Sequence, residues 1–187
     1  MTFQNEERLQ KLFANVNDWL KFAEAKNFGL LTLNAAIVFG FTQITISIKA
    51  VEYAGNYVFM PMALFSFLCA LLSLFPILTS IERTGNTKNW INRFSNWIDK
   101  ESHFENIHYY GFLRGIDVGE FEIKFLAKSG ESQPFNAYEK ELAVQILYNS
   151  RIAWLKFQLF KIGAFLFSVG VVLGVVSLPI FALIVSK

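Results

Sequence analysis

The sequence predicts an all-α integral membrane protein, with three transmembrane helices, a small helical cytoplasmic lobe, and a long last helix continuous into the third span. Three observations predict it. Uncharged apolar runs at 28–48, 57–78 and 162–185 are each long enough to cross a bilayer, which takes about 20 residues at 1.5 Å apiece. Hydrophobic residues make up 53% of the chain and charged residues only 17%, where soluble domains carry about 25% charged. The polar stretches between the runs place their apolar residues at helical spacing.

Residues 1–27 carry Leu9, Leu12, Phe13, Val16, Trp19, Leu20 and Ala23 along one stripe, which predicts an amphipathic cytoplasmic helix. Acidic Glu6 and Glu7 near its start are unlike a signal peptide, so the run that follows stays in the mature protein. The first span is Phe28–Ile48, bracketed by Lys26 and Lys49, followed by a short outer loop at 49–56. The second is Tyr57–Leu78, with Pro61 and Pro76 near its ends, where a kink or a stop is tolerated. Residues 79–161 are too many for a plain connector, because structureless loops beyond about 12–15 residues are uncommon. This section therefore folds. Trp90, Ile91, Phe94, Trp97 and Ile98 predict an amphipathic helix, and His103–Gly115 a turn-rich segment or short strand. Asp117 with Glu120 reads as the capping box of a short helix ending near Gly130. Asn136 with Glu139 is a second helix start, and no Pro or Gly follows until Gly163. One helix thus runs from Ala137 through the third span, Ile162–Val185, for about 70 Å. Its stripe of Ala143, Leu147, Ser150, Trp154 and Phe157 predicts packing on other helices, with the N-terminal helix and the 90–98 helix as partners.

Three spans put the N-terminus and the 79–161 section on one side of the membrane. Lys21, Lys26, Arg83, Lys88, Arg93, Arg151, Lys156 and Lys161 lie on that side near span ends, whereas the other side holds Lys49 and Lys187. The positive-inside rule makes the first side cytoplasmic and leaves the C-terminus outside. A formal net charge of +2 is too small for bulk nucleic-acid binding, and a single cysteine, Cys69, allows neither an intramolecular disulfide nor a thiolate metal site.

Few residues suggest chemistry. Gly170 and Gly174 form a GxxxG pattern that lets helices approach closely, either between copies of the chain or, as is commoner, against its own spans. Asn34 and Gln43 lie inside the first span, where an amide seeks an interhelical hydrogen bond or, in an oligomer, lines a pore. His103 and His108 match no metal-ligand spacing and read as surface or structural histidines. No phosphate-binding glycine loop, nucleophile signature or paired-carboxylate constellation is present, so no enzyme, metal or resident cofactor is expected. Lys26, Arg83, Lys156 and Lys161, with Trp90, Trp97, Tyr109 and Tyr110, would suit a phosphorylated, base-containing ligand. The plainer alternative is that the cations anchor topology and the rings fill a core.

Three segments resemble a known family. DWLKFAEAKNFGLLTLNAA (Asp18–Ala36) is similar to the approach to the first span in the Pycsar effector transmembrane family, with Glu24, Lys26 and Asn34 at its acidic, basic and amide positions. The family's usual acidic residue there is Asp. NIHYYGFLRGIDVGEF (Asn106–Phe121) resembles its aromatic-glycine segment, and YEKELAVQILYNSRIAWLKFQLFKIG (Tyr138–Gly163) its long helix, with a Lys-aromatic pair at Lys156 and Phe157. The resemblance implies a bacterial anti-phage effector of the inner (cell) membrane. A partner nucleotide cyclase makes a cyclic pyrimidine mononucleotide, cCMP or cUMP, and the effector impairs the membrane in abortive infection.

The resulting expectation is a nucleotide site in the basic and aromatic lobe near Lys26, Arg83, Tyr109, Arg114, Arg151 and Lys156, with Gly170, Gly174 and Asn34 as helix-association positions. Expected partners are the lipid bilayer, the cyclic nucleotide, the cyclase and further copies of the chain in a homo-oligomer, without nucleic acid. The alternatives are a membrane adaptor or scaffold docking a cytosolic protein, and a constitutive small pore or toxin.

Overall fold

The computed structural model describes residues 2–45, 53–74 and 105–185. In chain order these form α1 (Thr2–Thr45), a π-helical turn (Gly55–Phe59) leading into α2 (Met60–Leu74), the one-turn α3 (Tyr110–Leu113), α4 (Val118–Ser129) and α5 (Ala137–Val185). The described residues contain no strand, as expected of an all-α chain. In the segment that the sequence left between turn and strand, a turn at 107–108 precedes α3. The expected 90–98 helix and His103 lie outside the described residues.

The amphipathic helix at 1–27 and the start of the first apolar run are one uninterrupted helix, α1. No proline lies between them, and at Gly29 the surroundings leave space rather than a turn. α5 starts where its capping box predicts. The Asn136 backbone amide donates to Glu139 Oε2 and the Glu139 backbone amide to Asn136 Oδ1, each at 2.8 Å. Pro179 lies within α5 without ending it.

The chain divides into two compact units, and both α1 and α5 contribute to each. Among the described residues, the first comprises 2–24 and 105–157. Its core is apolar. Leu9, Leu12 and Val16 of α1 cluster with Leu113, Ile146 and Leu147. The rings of Phe121, Phe125 and Phe135 pack at 5.5 to 6.3 Å between centroids. All five residues of the predicted α5 stripe, from Ala143 to Phe157, are buried.

The second unit comprises 25–45, 53–74 and 158–185. Leu30, Phe59, Ala63, Ala70 and Phe167 form its apolar cluster, yet Asn34 and Ser66 are almost completely buried while Leu64 and Phe65 are 59% and 58% exposed. Val175, Val176 and Ile180 on α5 are also exposed. Polar groups inside and apolar groups outside are the pattern of helices solvated by lipid. Two helices are long and apolar enough to cross a membrane, at Asn56–Ser73 and Ala137–Ile184. The described residues thus supply two such helices rather than the expected three. The expected first span begins in α1 and runs past that helix's described end at Thr45.

Candidate functional site

A cleft of about 420 Å³ opens in the first unit between α1, the last turn of α4 and the turn around His108. Its α1 wall is Arg8, Lys11 and Asn15, at i, i+3 and i+7, and therefore on one helix face next to the buried Leu12. The α4 wall is Phe125, Lys128 and Ser129. Two caps fix the register of α4. Asp117 Oδ1 accepts from the Glu120 backbone amide at 2.8 Å, and Gly130, at φ 73°, ends the helix with its amide on the Leu126 carbonyl at 3.0 Å. Ile107 and His108 form the third wall, in a turn where Asn106 Oδ1 accepts from the His108 backbone amide at 2.9 Å.

The walls are tied together by the polar side chains that line them. An Arg8 guanidinium nitrogen donates to the Ser129 carbonyl at 3.1 Å, Lys128 to the Glu105 carbonyl at 3.1 Å, and the Asn15 side-chain amide to the His108 carbonyl at 3.2 Å. Arg8 and Lys128 also lie where the α4 dipole leaves partial negative charge. Among the described residues no carboxylate lines the cleft. Glu7 accepts from Lys11 at 2.6 Å, and that bond holds its carboxyl pKa below its ordinary value. Three cations over an apolar floor of Leu12, Ile107 and Phe125 form a surface suited to a small anion bearing a ring.

Of the six residues expected at the ligand site, the five that are described do not line this cleft. Arg114 instead stacks its guanidinium 3.7 Å from the Trp154 ring, and Arg151 donates to the carbonyls of Arg114 and Ile116 at 3.3 and 3.4 Å. Tyr109 leans on Tyr110 at 4.8 Å, and Tyr110 stacks on Phe157 at 5.0 Å. A side chain at Gly111 would meet the Tyr109 ring, which would have to shift to admit it. Lys156 pairs with Glu24 at 2.7 Å. Lys26 belongs to the second unit, over the Phe160 ring at 5.4 Å, and Arg83 lies outside the described residues. The structure thus gathers Arg114 with Arg151, and Tyr109 with Tyr110, within the first unit. The sequence did carry a signal for the cleft: Arg8, Lys11 and Asn15 share one face beside the apolar stripe of α1. Among the described residues no group of His, Cys, Asp and Glu is arranged to hold a metal.

The helix-association positions lie in the second unit. The Asn34 side-chain amide donates to Ser66 Oγ of α2 at 3.0 Å, joining two helices within the chain. Gly170 and Gly174 face Met62 and Phe59, so this glycine face is occupied by the chain's own α2 and the turn that precedes it.

Residues 8–183 match the Pycsar effector protein domain, a stretch that takes in the cleft and both units. The chain belongs to the Pycsar effector family. Its members are effectors of anti-phage defence. The Pycsar effector protein RsPycTM of a Rhizobium species is 27% identical over 150 residues, covering 77% of each chain. No solved structure matches the chain. In this Pycsar effector, the exposed apolar faces of the second unit and its two candidate crossing helices are those of a membrane protein.

Proposed function

We propose that the chain is a ligand-gated membrane effector: a cyclic pyrimidine mononucleotide, cCMP or cUMP, binds the first unit, and the spanning helices then impair the bacterial inner membrane and arrest growth. The observation that carries this reading is the family match, which runs through both the unit with the basic cleft and the unit with lipid-facing helices. The chain acts without catalysis or a resident cofactor. Its partners are the bilayer, the nucleotide, a cyclase that makes the nucleotide, and further copies of itself.

The proposed topology has three spans. α1 enters the membrane after Lys26, α2 returns, and α5 crosses last, with the N-terminus cytoplasmic and the C-terminus outside. α1 carries Arg8 and Lys11 near its start and Asn34 within the second unit, and α5 likewise contributes to both units. A ligand shifts such a chain only by binding one arrangement better than another, so the activating state is the one with the higher nucleotide affinity. The test measures cCMP and cUMP binding to purified protein, together with dye release from liposomes holding it. Nucleotide-dependent release is expected. Absence of binding, or release that ignores the nucleotide, overturns the reading.

A further inference from the structure

The chemistry of the cleft is specific enough to assign its ligand class. Its walls bring together Arg8, Lys11 and Lys128, and no carboxylate among the described residues lines it. Gathering like charges is unfavourable unless an anion joins them, and an anion in such a place gains charge-assisted hydrogen bonds. Glu7 offsets Lys11 in part, yet that pair is solvent-exposed on both sides and easily exchanged for a stronger acceptor. Arg8 and Lys128 each make one bond to a backbone carbonyl, and a guanidinium has five N–H donors and an ammonium three. The floor has the complementary character. Leu12, Ile107 and Phe125 are buried side chains that offer an apolar bed, one of them aromatic, for a flat ring. Asn15 and His108 at the margin supply polar groups for the ring's edge. At about 420 Å³ the space lies near the lower end of small-molecule pockets, roughly 300–1,000 Å³, and fits a single ring system better than an extended polymer.

We infer that this cleft is the nucleotide site of the chain, with the phosphate held by Arg8, Lys11 and Lys128 and the base lying against Phe125 and Ile107. The assignment rests on the function proposed above for the identity of the ligand, a cyclic pyrimidine mononucleotide. Its location rests on the cleft alone. It moves the site away from Arg114, Arg151 and Lys156, whose donors serve backbone carbonyls, an aromatic ring and a carboxylate of the fold.

The test uses the full chain in detergent, titrated with cCMP and with cUMP by calorimetry and repeated in excess inorganic phosphate as competitor. Lys11 and Lys128 are exposed, so Lys11→Gln and Lys128→Gln leave the core untouched, and unchanged helicity by circular dichroism checks this. Each substitution is expected to weaken nucleotide binding about tenfold, the scale of one charge-assisted bond. Phe125→Leu keeps an apolar side chain at that position and is expected to weaken binding severalfold through loss of the aromatic face. Lys21→Glu is the control: it lies ten residues along α1 from Lys11, about 15 Å and beyond the screening length at physiological salt, and its affinity should stay within about twofold of wild type. Inorganic phosphate should compete in wild type and less well in Lys11→Gln. If wild type binds a nucleotide and both glutamine variants bind it equally well, the cleft assignment is overturned while the sensing function stands. If wild type binds neither nucleotide, the sensing function fails and takes the ligand assignment with it.

Discussion

The ammonium of Lys156 on α5 lies 2.7 Å from the carboxylate of Glu24 on α1, and the two ends of the pair are unequally wet. The lysine side chain is 8% exposed and the glutamate 49%. Removing Glu24 takes a carboxylate away from a buried cation, whereas removing Lys156 leaves a carboxylate that water can solvate. Glu24→Ala is therefore predicted to cost about 1–2 kcal/mol, less than the loss from a fully buried pair because one partner is half-exposed. Lys156→Met is predicted to cost less than about 1 kcal/mol, and the double variant to recover much of the Glu24→Ala loss. Thermal unfolding of the four proteins in one detergent compares them, and a greater loss from Lys156→Met than from Glu24→Ala would contradict the assignment.

How far the sequence revealed this molecule depended on the range of each signal. Local signals were legible: the Asp117 and Asn136 caps start α4 and α5, Gly130 ends α4, and the 143–157 stripe is buried as spaced. The continuity of α1 was not, because a change from amphipathic to uniformly apolar composition at Phe28 looks like a boundary although nothing there breaks a helix. The cleft was missed for a different reason. Lys128 and Arg8 are 120 residues apart in sequence, and only the packing of α1 on α4 brings them together. Nor does sequence show that Arg114, Arg151 and Lys156 meet the Trp154 ring, backbone carbonyls and Glu24.

The reciprocal cap at the start of α5 makes a second prediction. Asn136 Oδ1 accepts from the Glu139 backbone amide, and Glu139, only 3% exposed, returns a carboxylate oxygen to the Asn136 backbone amide. Asn136→Ala removes one side of the box and should cost about 1 kcal/mol. Asn136→Asp keeps an acceptor at the positive end of the helix and should cost less, despite its charge lying close to Glu139. Chemical denaturation followed by helicity reads both, and no measurable loss from Asn136→Ala would show that the cap contributes little.

A third prediction concerns the buried amide of the second unit. Asn34 donates to the Leu30 carbonyl at 2.8 Å within its own helix and to Ser66 Oγ at 3.0 Å on α2. Interhelical hydrogen bonds in lipid contribute about 0.6 kcal/mol on average and up to about 1.7. Ser66→Ala and Asn34→Ala should each destabilise, and a double-mutant cycle should return a coupling in that range. A coupling indistinguishable from zero would mean that the two side chains merely lie side by side.

Gly170 and Gly174 belong to one GxxxG pattern but are not equivalent. A methyl at Gly170 would lie 2.6 Å from Met62 Cβ, whereas one at Gly174 would meet Phe59 Cβ at 3.5 Å, an ordinary contact. Because a Cβ is fixed to its backbone, Met62 cannot swing aside, and α5 and α2 must separate to admit Gly170→Ala. That overpacking is predicted to cost about 1–3 kcal/mol, while Gly174→Ala should be close to neutral. Met62→Gly in the Gly170→Ala background removes the obstructing atom and should restore part of the loss. Melting temperature in detergent reads the series. Equal effects of the two alanines, or no relief from Met62→Gly, would show that the pattern is not used for close packing against α2.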